Sequence, residues 1–289
     1  IRSTHDPVRS RQLLRDRAAC VGSRLSPISP GTAFPVVTIA GPRGLALVSG
    51  GSGDIGSAIC RSLHGDGWGI AVGFVSGSRA EALVGELDTP RVPARAFPLD
   101  LTDSKQIRST LTELLTTAGR VDALVLNAGW NQSALFLDTE EGQWRTTVAV
   151  NLLGPMLVTQ LCLPAMIKAG GGTIVGITSE AAKTGDAGNA AYAAAKAGLA
   201  SFLKTIVREH AKDSVRANSV APGPIDTRLL RNAFPDDETA GATIDKLVRL
   251  VPLRRLGRPE EVAAAVRYLV SEGDHVAGEH LSVGGGVVM

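Results

Sequence analysis

The feature that most restricts the fold is an alternation of short apolar runs with amphipathic stretches from residue 45 onward. Most runs are apolar at nearly every position, as expected when helices cover both faces of a sheet. Alternating strands and helices imply a parallel sheet joined by right-handed crossovers. The pattern predicts an α/β protein with one doubly wound Rossmann-type domain and a seven-stranded parallel sheet flanked by helices. The predicted strands are 45–49, 69–74, 92–99, 122–127, 172–178, 215–221 and 280–284, and the predicted helices include 103–118, 141–169, 190–212 and 259–272.

Residues 1–44 differ from the rest of the chain. They carry seven arginines against two aspartates, are rich in Ser and Pro, and show weak periodicity. This composition predicts a disordered extension. A targeting peptide is the alternative, because such peptides are rich in Arg and Ser and poor in acid. We therefore expect a catalytic domain at 45–289 and a cytoplasmic protein, with organellar targeting by 1–44 as the alternative.

Composition excludes several other classes of protein. No stretch approaches 18 uninterrupted apolar residues, which predicts that no segment spans a membrane. The three cysteines are scattered and the five histidines form no ligand-spaced pair, so we expect neither a disulfide framework nor a metal site. The net charge is only +2, and lysine and arginine are not clustered on the domain, which argues against binding to nucleic acid.

A glycine-rich stretch, SGGSGDIG at 49–56, follows the first predicted strand and precedes a helix. A turn of this kind lets backbone amides approach a pyrophosphate, whose charge the helix N-terminus stabilises. Two registers fit the glycines. One is the G-x-G-x-x-G pattern of Gly51, Gly53 and Gly56, and the other uses Gly50, position 54 and Gly56, with Asp54 where a glycine is expected.

The second predicted strand ends without the acidic residue that would hold the ribose 2′-hydroxyl of NAD. Ser76 and Arg79 follow it instead, and hydroxyl and guanidinium groups suit a 2′-phosphate. This favours NADP(H) and leaves NAD(H) as the alternative. Arg79 has a second interpretation, as a residue that simply begins a solvent-facing helix.

Three further strand ends offer candidate cofactor contacts. The third strand runs into Asp100 and Leu101, and the fourth into LNAGW at 126–130; both are also compatible with ordinary turn chemistry, with Asp100 as a cap. The sixth ends in a rigid Pro-Gly-Pro turn within 218–227. The mixed segment 228–250 that follows is of the kind that often covers a pocket.

The fifth predicted strand leads to Ser179, with Tyr192 and Lys196 on the alanine-rich helix that follows. The i, i+4 spacing places the phenol and the ammonium on one helical face. A free phenol titrates near pH 10, and we expect the neighbouring cation to lower its pKa toward the working pH. Tyr192 is then able to exchange a proton with an alcohol or alkoxide while the Ser179 hydroxyl holds the same oxygen.

Together these motifs resemble the short-chain dehydrogenase/reductase family, and the resemblance spans residues 45–289. It is carried by SGGSGDIG, LNAG, Asn151 in VNLLGP, the Ser179–Tyr192–Lys196 set, APGPIDT, and the C-terminal segment VPLRRLGRPEEVAAAVRYLVSE followed by GEHLSVGGG.

The resemblance implies a role for each catalytic residue. Tyr192 is the implied acid/base, Lys196 lowers its pKa and binds the nicotinamide ribose, Ser179 polarises the carbonyl, and Asn151 anchors a water of the proton relay. Ile225 and Thr227 hold the carboxamide. The implied cofactor contacts are Ser49, Gly50, Ser52, Gly53, Asp54, Ile55, Gly56, Ser76, Asp100, Leu101, Asn127, Ala128, Gly129, Tyr192, Lys196, Pro222, Gly223, Ile225 and Thr227.

The chain departs from the family's pattern at four places. Ser49 replaces a threonine, Leu126 replaces the first asparagine of its turn, and Gly284 replaces a common aspartate. The fourth departure is Asp54. We expect its carboxylate to accept helix amides as an N-cap or first-turn acid, pointing away from the pyrophosphate.

The resemblance also implies a reaction and partners. The chain resembles reductases of 3-oxoacyl thioesters, carried by acyl carrier protein or coenzyme A, and also dehydrogenases of 3-hydroxyacyl-CoA compounds. The family usually forms homotetramers. Candidate docking residues for an acidic carrier are Arg228, Arg231, Arg254, Arg255 and Arg258, which are alternatively ordinary solvated ion pairs. The alternative substrates are free ketones, secondary alcohols or sugars. A non-catalytic NADP-binding protein is a third possibility, which the intact catalytic set argues against.

Overall fold

A computed structural model describes residues 39–231 and 237–288. The extension predicted at 1–44 therefore lies mostly outside the described residues and stays a prediction. The described chain begins at Ile39, whose side chain is buried in the core. Gly41 and Gly44 form a short antiparallel bridge before the first strand, and the Arg43 amide donates to the Gly67 carbonyl.

The seven-stranded parallel sheet predicted from the sequence is confirmed. Every strand pairs in parallel with its neighbours, in the order β3-β2-β1-β4-β5-β6-β7. The order reverses between β1 and β4, and in such sheets ligands bind at the carboxyl ends of the strands near that point. The strands are β1 (Leu45–Ser49), β2 (Gly69–Phe74), β3 (Ala94–Pro98), β4 (Ala123–Leu126), β5 (Gly172–Ile177), β6 (Val215–Pro222) and β7 (His280–Val283).

Helices connect the strands and cover both faces of the sheet. The segment 228–250 contains two of them, separated by residues outside the described part. The helices are α1 (Asp54–Gly65), α2 (Gly77–Leu87), α3 (Ser104–Ala118), α4 (Glu141–Val148), α5 (Gly154–Lys168), α6 (Ala181–Thr184), α7 (Ala190–His210), α8 (Arg228–Arg231), α9 (Asp237–Leu250) and α10 (Pro259–Ser271).

The core is divided between the two faces of the sheet. In β1, Ala46 and Val48 belong to one apolar cluster, which includes residues of α1, α2 and α10. Leu45 and Leu47 belong to the other, which includes residues of α3, α5 and α7. Since successive side chains of a strand point to opposite faces, burial on both sides explains why the strands are apolar throughout.

The predicted helix at 141–169 is interrupted. Between α4 and α5, residues Ala149–Leu153 form a π-helical turn.

By length and composition alone, Glu141–Lys168 is apolar enough to cross a membrane. It is weak evidence for a span, because Val158, Cys162 and Met166 are fully buried in the core, as in a helix of a soluble domain.

Candidate active site

The glycine loop between β1 and α1 is shaped by close backbone contacts. Gly50 has φ of +61°, and a Cβ there would lie 2.8 Å from the Ala128 Cα. A Cβ on Gly56 would overlap the Gly50 carbonyl oxygen and lie 2.8 Å from Asn127 Nδ2. Gly53 is less crowded, since its nearest neighbour would be the Gly50 oxygen at 3.3 Å. Gly51 is also crowded, since a Cβ there would lie 3.0 Å from the Val48 carbonyl oxygen. Of the glycines in the two registers only Gly50 has a positive φ, which favours the register of Gly50, position 54 and Gly56.

The N-terminus of α1 fits a bound phosphate group. Its N-cap is Gly53, and no side chain caps the first-turn amides. These amides have no partner within a helix and carry the positive end of the dipole. An open glycine cradle at this point is what the pyrophosphate of a nicotinamide dinucleotide needs.

Asp54 lies in the first turn, as expected, but the expectation that it accepts helix amides is wrong. Its carboxylate instead accepts hydrogen bonds from the Arg228 backbone amide and Nε, each at 2.7 Å, and pairs with the Arg228 guanidinium. Burial raises the pKa of Asp54, but Arg228 and the Arg79 charge outweigh that effect and lower it overall. The acid therefore joins the glycine loop to the segment after β6.

The end of β4 is tied directly to the glycine loop. The Ser49 hydroxyl accepts the amides of Asn127 at 3.0 Å and Ala128 at 3.2 Å. Asn127 Nδ2 in turn donates to the carbonyls of Ser49 and Gly50. Leu126, which stands where the family has asparagine, is buried at the end of the strand. The hydroxyl of Ser49 thus keeps the two turns together.

At the nucleotide end, Ser76 is the N-cap of α2 and Arg79 lies in the first turn. Both are exposed, and the influence of Arg79 on the pKa of Asp54 places its charge near the glycine loop. A contact of these groups with a nucleotide phosphate stays a prediction.

Asp100 caps a local turn and does not cap the following helix. Its Oδ1 accepts from Thr102 N at 2.8 Å and Thr102 Oγ1 at 2.7 Å, while Asp103 is the N-cap of α3. Leu101 is buried against Gly154, which leaves only its backbone for a nucleotide. The turn alternative therefore describes the Asp100 side chain.

The π-helical turn directs Asn151 inward. The side chain is fully buried, and Nδ2 donates to the carbonyls of Trp130 at 2.7 Å and Thr147 at 2.8 Å. A Cβ on Gly129 would lie 3.4 Å from Asn151 Oδ1 and 3.6 Å from Lys196 Nζ, so both side chains border the same small space. Such π turns often occur at functional sites.

The reactive groups lie together where β5 ends. Lys196 is almost fully buried, its Nζ donates to the Ile177 carbonyl at 2.8 Å, and it lies 5.7 Å from the centre of the Tyr192 ring. Burial lowers the pKa of Lys196 to about 7. Burial also raises the pKa of Tyr192, opposed by a hydrogen bond with Ser179. The expected lowering of the phenol pKa is therefore absent, because burial of Tyr192 outweighs the opposing hydrogen bond with Ser179.

The turn after β6 faces the same edge. The Gly223 amide donates to the Val283 carbonyl at 3.1 Å, which attaches the turn to β7. Ile225 is buried in the core and its backbone forms a parallel bridge with Gly257. Thr227 Oγ1 accepts the Leu230 amide at 3.2 Å and so caps α8.

Comparison with known proteins decides the family. The family model for short chain dehydrogenases matches residues 44–238. The chain is a short-chain dehydrogenase. It is therefore an oxidoreductase that acts on CH-OH groups.

Several curated relatives match nearly their whole length. This dehydrogenase is 34% identical over 246 residues to the 3-oxoacyl-(acyl-carrier-protein) reductase of Thermotoga maritima, covering 85% of the chain and 98% of the relative. It is 36% identical over 246 residues to the Escherichia coli reductase of that name, covering 85% and 97%. Nodulation protein G of Azospirillum brasilense is 34% identical over 245 residues, covering 84% and 97%.

Sequence reasoning missed three residues at the site of this dehydrogenase. Trp130 supplies the backbone carbonyl that fixes Asn151. Arg228, which the sequence predicts only as a docking residue, is the ion-pair partner of Asp54. Glu180 directly follows Ser179 and is buried. For Glu180 the only signal in the sequence is indirect: position 284 is a glycine, which leaves the space that the Glu180 carboxyl occupies.

Proposed function

We propose that this dehydrogenase interconverts a 3-oxoacyl thioester and its 3-hydroxyacyl form with NADP(H). The main support is the convergence of Ser179, Tyr192, Lys196 and Asn151 at the end of β5, together with relatives named as 3-oxoacyl-carrier reductases over almost their full length.

Different residues bind the cofactor, hold the carbonyl oxygen and transfer the proton. The glycine loop and the turn after β6 are the parts that would hold NADP(H), which supplies the hydride. Ser179 holds the carbonyl oxygen, and Tyr192 gives it a proton as negative charge develops there. Lys196 lies beside the Tyr192 ring, and Asn151 borders the same small space as Lys196. The Lys196 pKa of about 7 suits a group that passes protons onward.

Apolar groups near the entrance support an acyl substrate. Segment 131–137 is fixed to the turn before Tyr192 by the bond from Ala134 N to Gly188 O, at 3.0 Å. Leu135 and Leu137 on this segment are exposed. Exposed leucines beside a polar reaction centre suit a thioester with an alkyl chain better than a sugar.

The direct test is oxidation of NADPH and NADH against acetoacetyl-CoA, a 3-oxoacyl carrier-protein thioester and a panel of free ketones. We expect thioester reduction with NADPH. Activity on a free ketone alone would overturn the substrate proposal, and a preference for NADH would overturn the cofactor proposal.

Arg79→Ala should weaken NADPH binding about tenfold and spare NADH, because it removes one charge-assisted contact with the 2′-phosphate, which NADH lacks. Arg108→Ala on α3 is the control.

The proposed arginine docking patch is largely neutralised. Arg228 pairs with Asp54, Arg231 with Asp226, and Arg255 and Arg258 both approach Glu261. The interpretation as solvated ion pairs therefore describes these four arginines. A carrier-protein partner remains a proposal, supported by the names of the relatives and tested by comparing the two thioesters.

We also propose a cytoplasmic homotetramer. An apolar groove of about 480 Å³ lies between α5 and α7, and the neighbouring Leu153 and Met156 are exposed. Light scattering after gel filtration tests the assembly, and a monomer at micromolar concentration would contradict it.

A further inference from the structure

Glu180 is the unusual buried acid of the described chain. Only 4% of it is exposed, and its two carboxyl oxygens are the only buried side-chain polar atoms among the described residues that make no hydrogen bond of good geometry, although the Ser282 hydroxyl and the Val288 backbone lie close enough to affect its pKa. Buried polar groups are normally paired, because an unpaired one loses the hydrogen bonds it made with water. A carboxyl retained here, directly after Ser179, calls for a physical reason.

Two glycines make the space that this side chain occupies. A Cβ on Gly284 would overlap both Glu180 oxygens, and a Cβ on Gly223 would lie 3.0 Å from Glu180 Oε2 and 2.8 Å from the Gly284 Cα. Neither glycine has a positive φ. Glycine is therefore needed at these positions for space, whereas at Gly50 it is also needed for conformation.

The charges around Glu180 leave its carboxyl only partly compensated. Burial raises the pKa of Glu180, and contacts with Ser282, the Lys183 charge and the Val288 backbone oppose this without cancelling it. The Lys183 ammonium is bonded to Ser282 Oγ at 2.8 Å and to the His280 carbonyl at 3.2 Å. Burial lowers the pKa of His280 to about 4, so that ring is neutral.

Glu180 also lies at the junction of three segments that line the site. Its amide donates to the Pro222 carbonyl at 3.1 Å, and the Gly223 amide donates to Val283. One step further, the Leu253 amide donates to the Gly285 carbonyl at 3.2 Å. The catalytic strand end, the turn after β6 and the C-terminal loop therefore meet around this one side chain.

We propose that Glu180 is a positioning residue whose side chain, by filling the space left by Gly223 and Gly284, sets the distance between Ser179 and the turn after β6. The proposal rests on the catalytic role given to Ser179 in the proposed function. It also explains Gly284: with the Glu180 carboxyl in this space, a side chain at position 284 does not fit.

The packing is tested by a thermal double-mutant cycle, which does not depend on activity. Gly284→Ala should lower the melting temperature by about 5 °C, because the new methyl group overlaps the carboxyl. In a Glu180→Ala background the same change should cost little. Gly85→Ala is the control, because a Cβ there meets nothing within 4 Å. An equal loss in both backgrounds would overturn the proposed contact.

The positioning role is tested by kinetics on the best substrate of the wild type. Glu180→Ala should lower kcat about tenfold or more, while KM and NADPH affinity measured by fluorescence stay near wild type, because a small displacement of reacting groups slows chemistry more than binding. Glu180→Gln, which keeps the volume, should recover most of the loss. Glu180→Ala/Gly284→Asp, which places an acid on the C-terminal loop instead, should recover part of the lost kcat.

Wild-type kcat in Glu180→Ala, or a Glu180→Gln variant as slow as Glu180→Ala, would overturn positioning by volume. Glu113→Ala, an exposed acid on α3, is the control. If the best substrate is a free ketone, the thioester proposal fails while these comparisons still decide the role of Glu180.

Discussion

The two ends of the cleft are built in opposite ways. At the reaction end, Lys196 and Asn151 are buried and bonded to backbone carbonyls, and burial shifts the pKa values of Lys196 and Tyr192. At the nucleotide end, Asp54 and Arg228 form an ion pair in contact with solvent. Buried groups interact strongly, and a buried group that loses its partner finds no water to replace it, whereas solvent screens the exposed ion pair. We therefore expect substitutions to have large effects at the first end and small ones at the second.

The largest effect should come from Tyr192→Phe. Removing the phenol hydroxyl removes the proton donor that we propose, and we expect kcat to fall by about 10³-fold, within the usual range for a general acid. The chain has only two tyrosines, and the other, Tyr268 on α10, provides the matched control. Steady-state kinetics measure both variants. Full activity in Tyr192→Phe would remove the contrast between the two ends.

An intermediate effect should appear in the pH dependence of stability. Burial lowers the pKa of Lys196 from 10.5 to about 7, so between these values the unfolded chain holds a proton that the folded protein lacks. Stability conferred by this site therefore rises with pH above 7. Relative to Lys196→Met, the wild type should gain about 2 kcal/mol in unfolding free energy between pH 7 and pH 9.

Urea unfolding of both proteins at the two pH values measures this gain. Lys204→Met, which changes an exposed lysine of the same helix, should show no comparable pH dependence. A constant difference between wild type and Lys196→Met would mean that the ammonium is solvated in the folded protein.

The smallest effect should come from Asp54→Asn. It removes a negative charge beside the phosphate cradle and frees the Arg228 guanidinium, so NADPH should bind about threefold more tightly at low salt, with the gain fading as salt rises. Titration of NADPH fluorescence measures it. Glu141→Gln, which breaks the exposed pair with Arg145, is the control. Weaker binding would show that the pair holds the cleft in its binding shape.

The sequence predicted the sheet and the order of its elements because apolar runs and glycine turns are local signals. It also predicted that Ser179, Tyr192 and Lys196 come together, as the structure shows, since their spacing follows from one strand and one helix; their catalytic roles stay a prediction. It did not predict the partner of Asp54, because Arg228 is distant in sequence and the pair depends on the path that the segment after β6 takes to the glycine loop. The sign of the Tyr192 pKa shift also required burial, which a spacing does not give.

The π-helical turn at Ala149–Leu153 makes the helical stretch around it sensitive to changes in length. Each residue advances an α-helix by about 100°. A π turn holds one residue more than an α turn, so deleting one residue inside it would restore a regular helix and keep Val158, Cys162 and Met166 facing the core, but would move Asn151 from its place beside Lys196. A deletion elsewhere in the stretch would rotate the residues that follow by that angle and turn their apolar side chains away from the core. Insertions and deletions should therefore be rarer along 141–168 than in the loops around it, and the spacing from Asn151 to Met166 should be kept as strictly as the residues themselves.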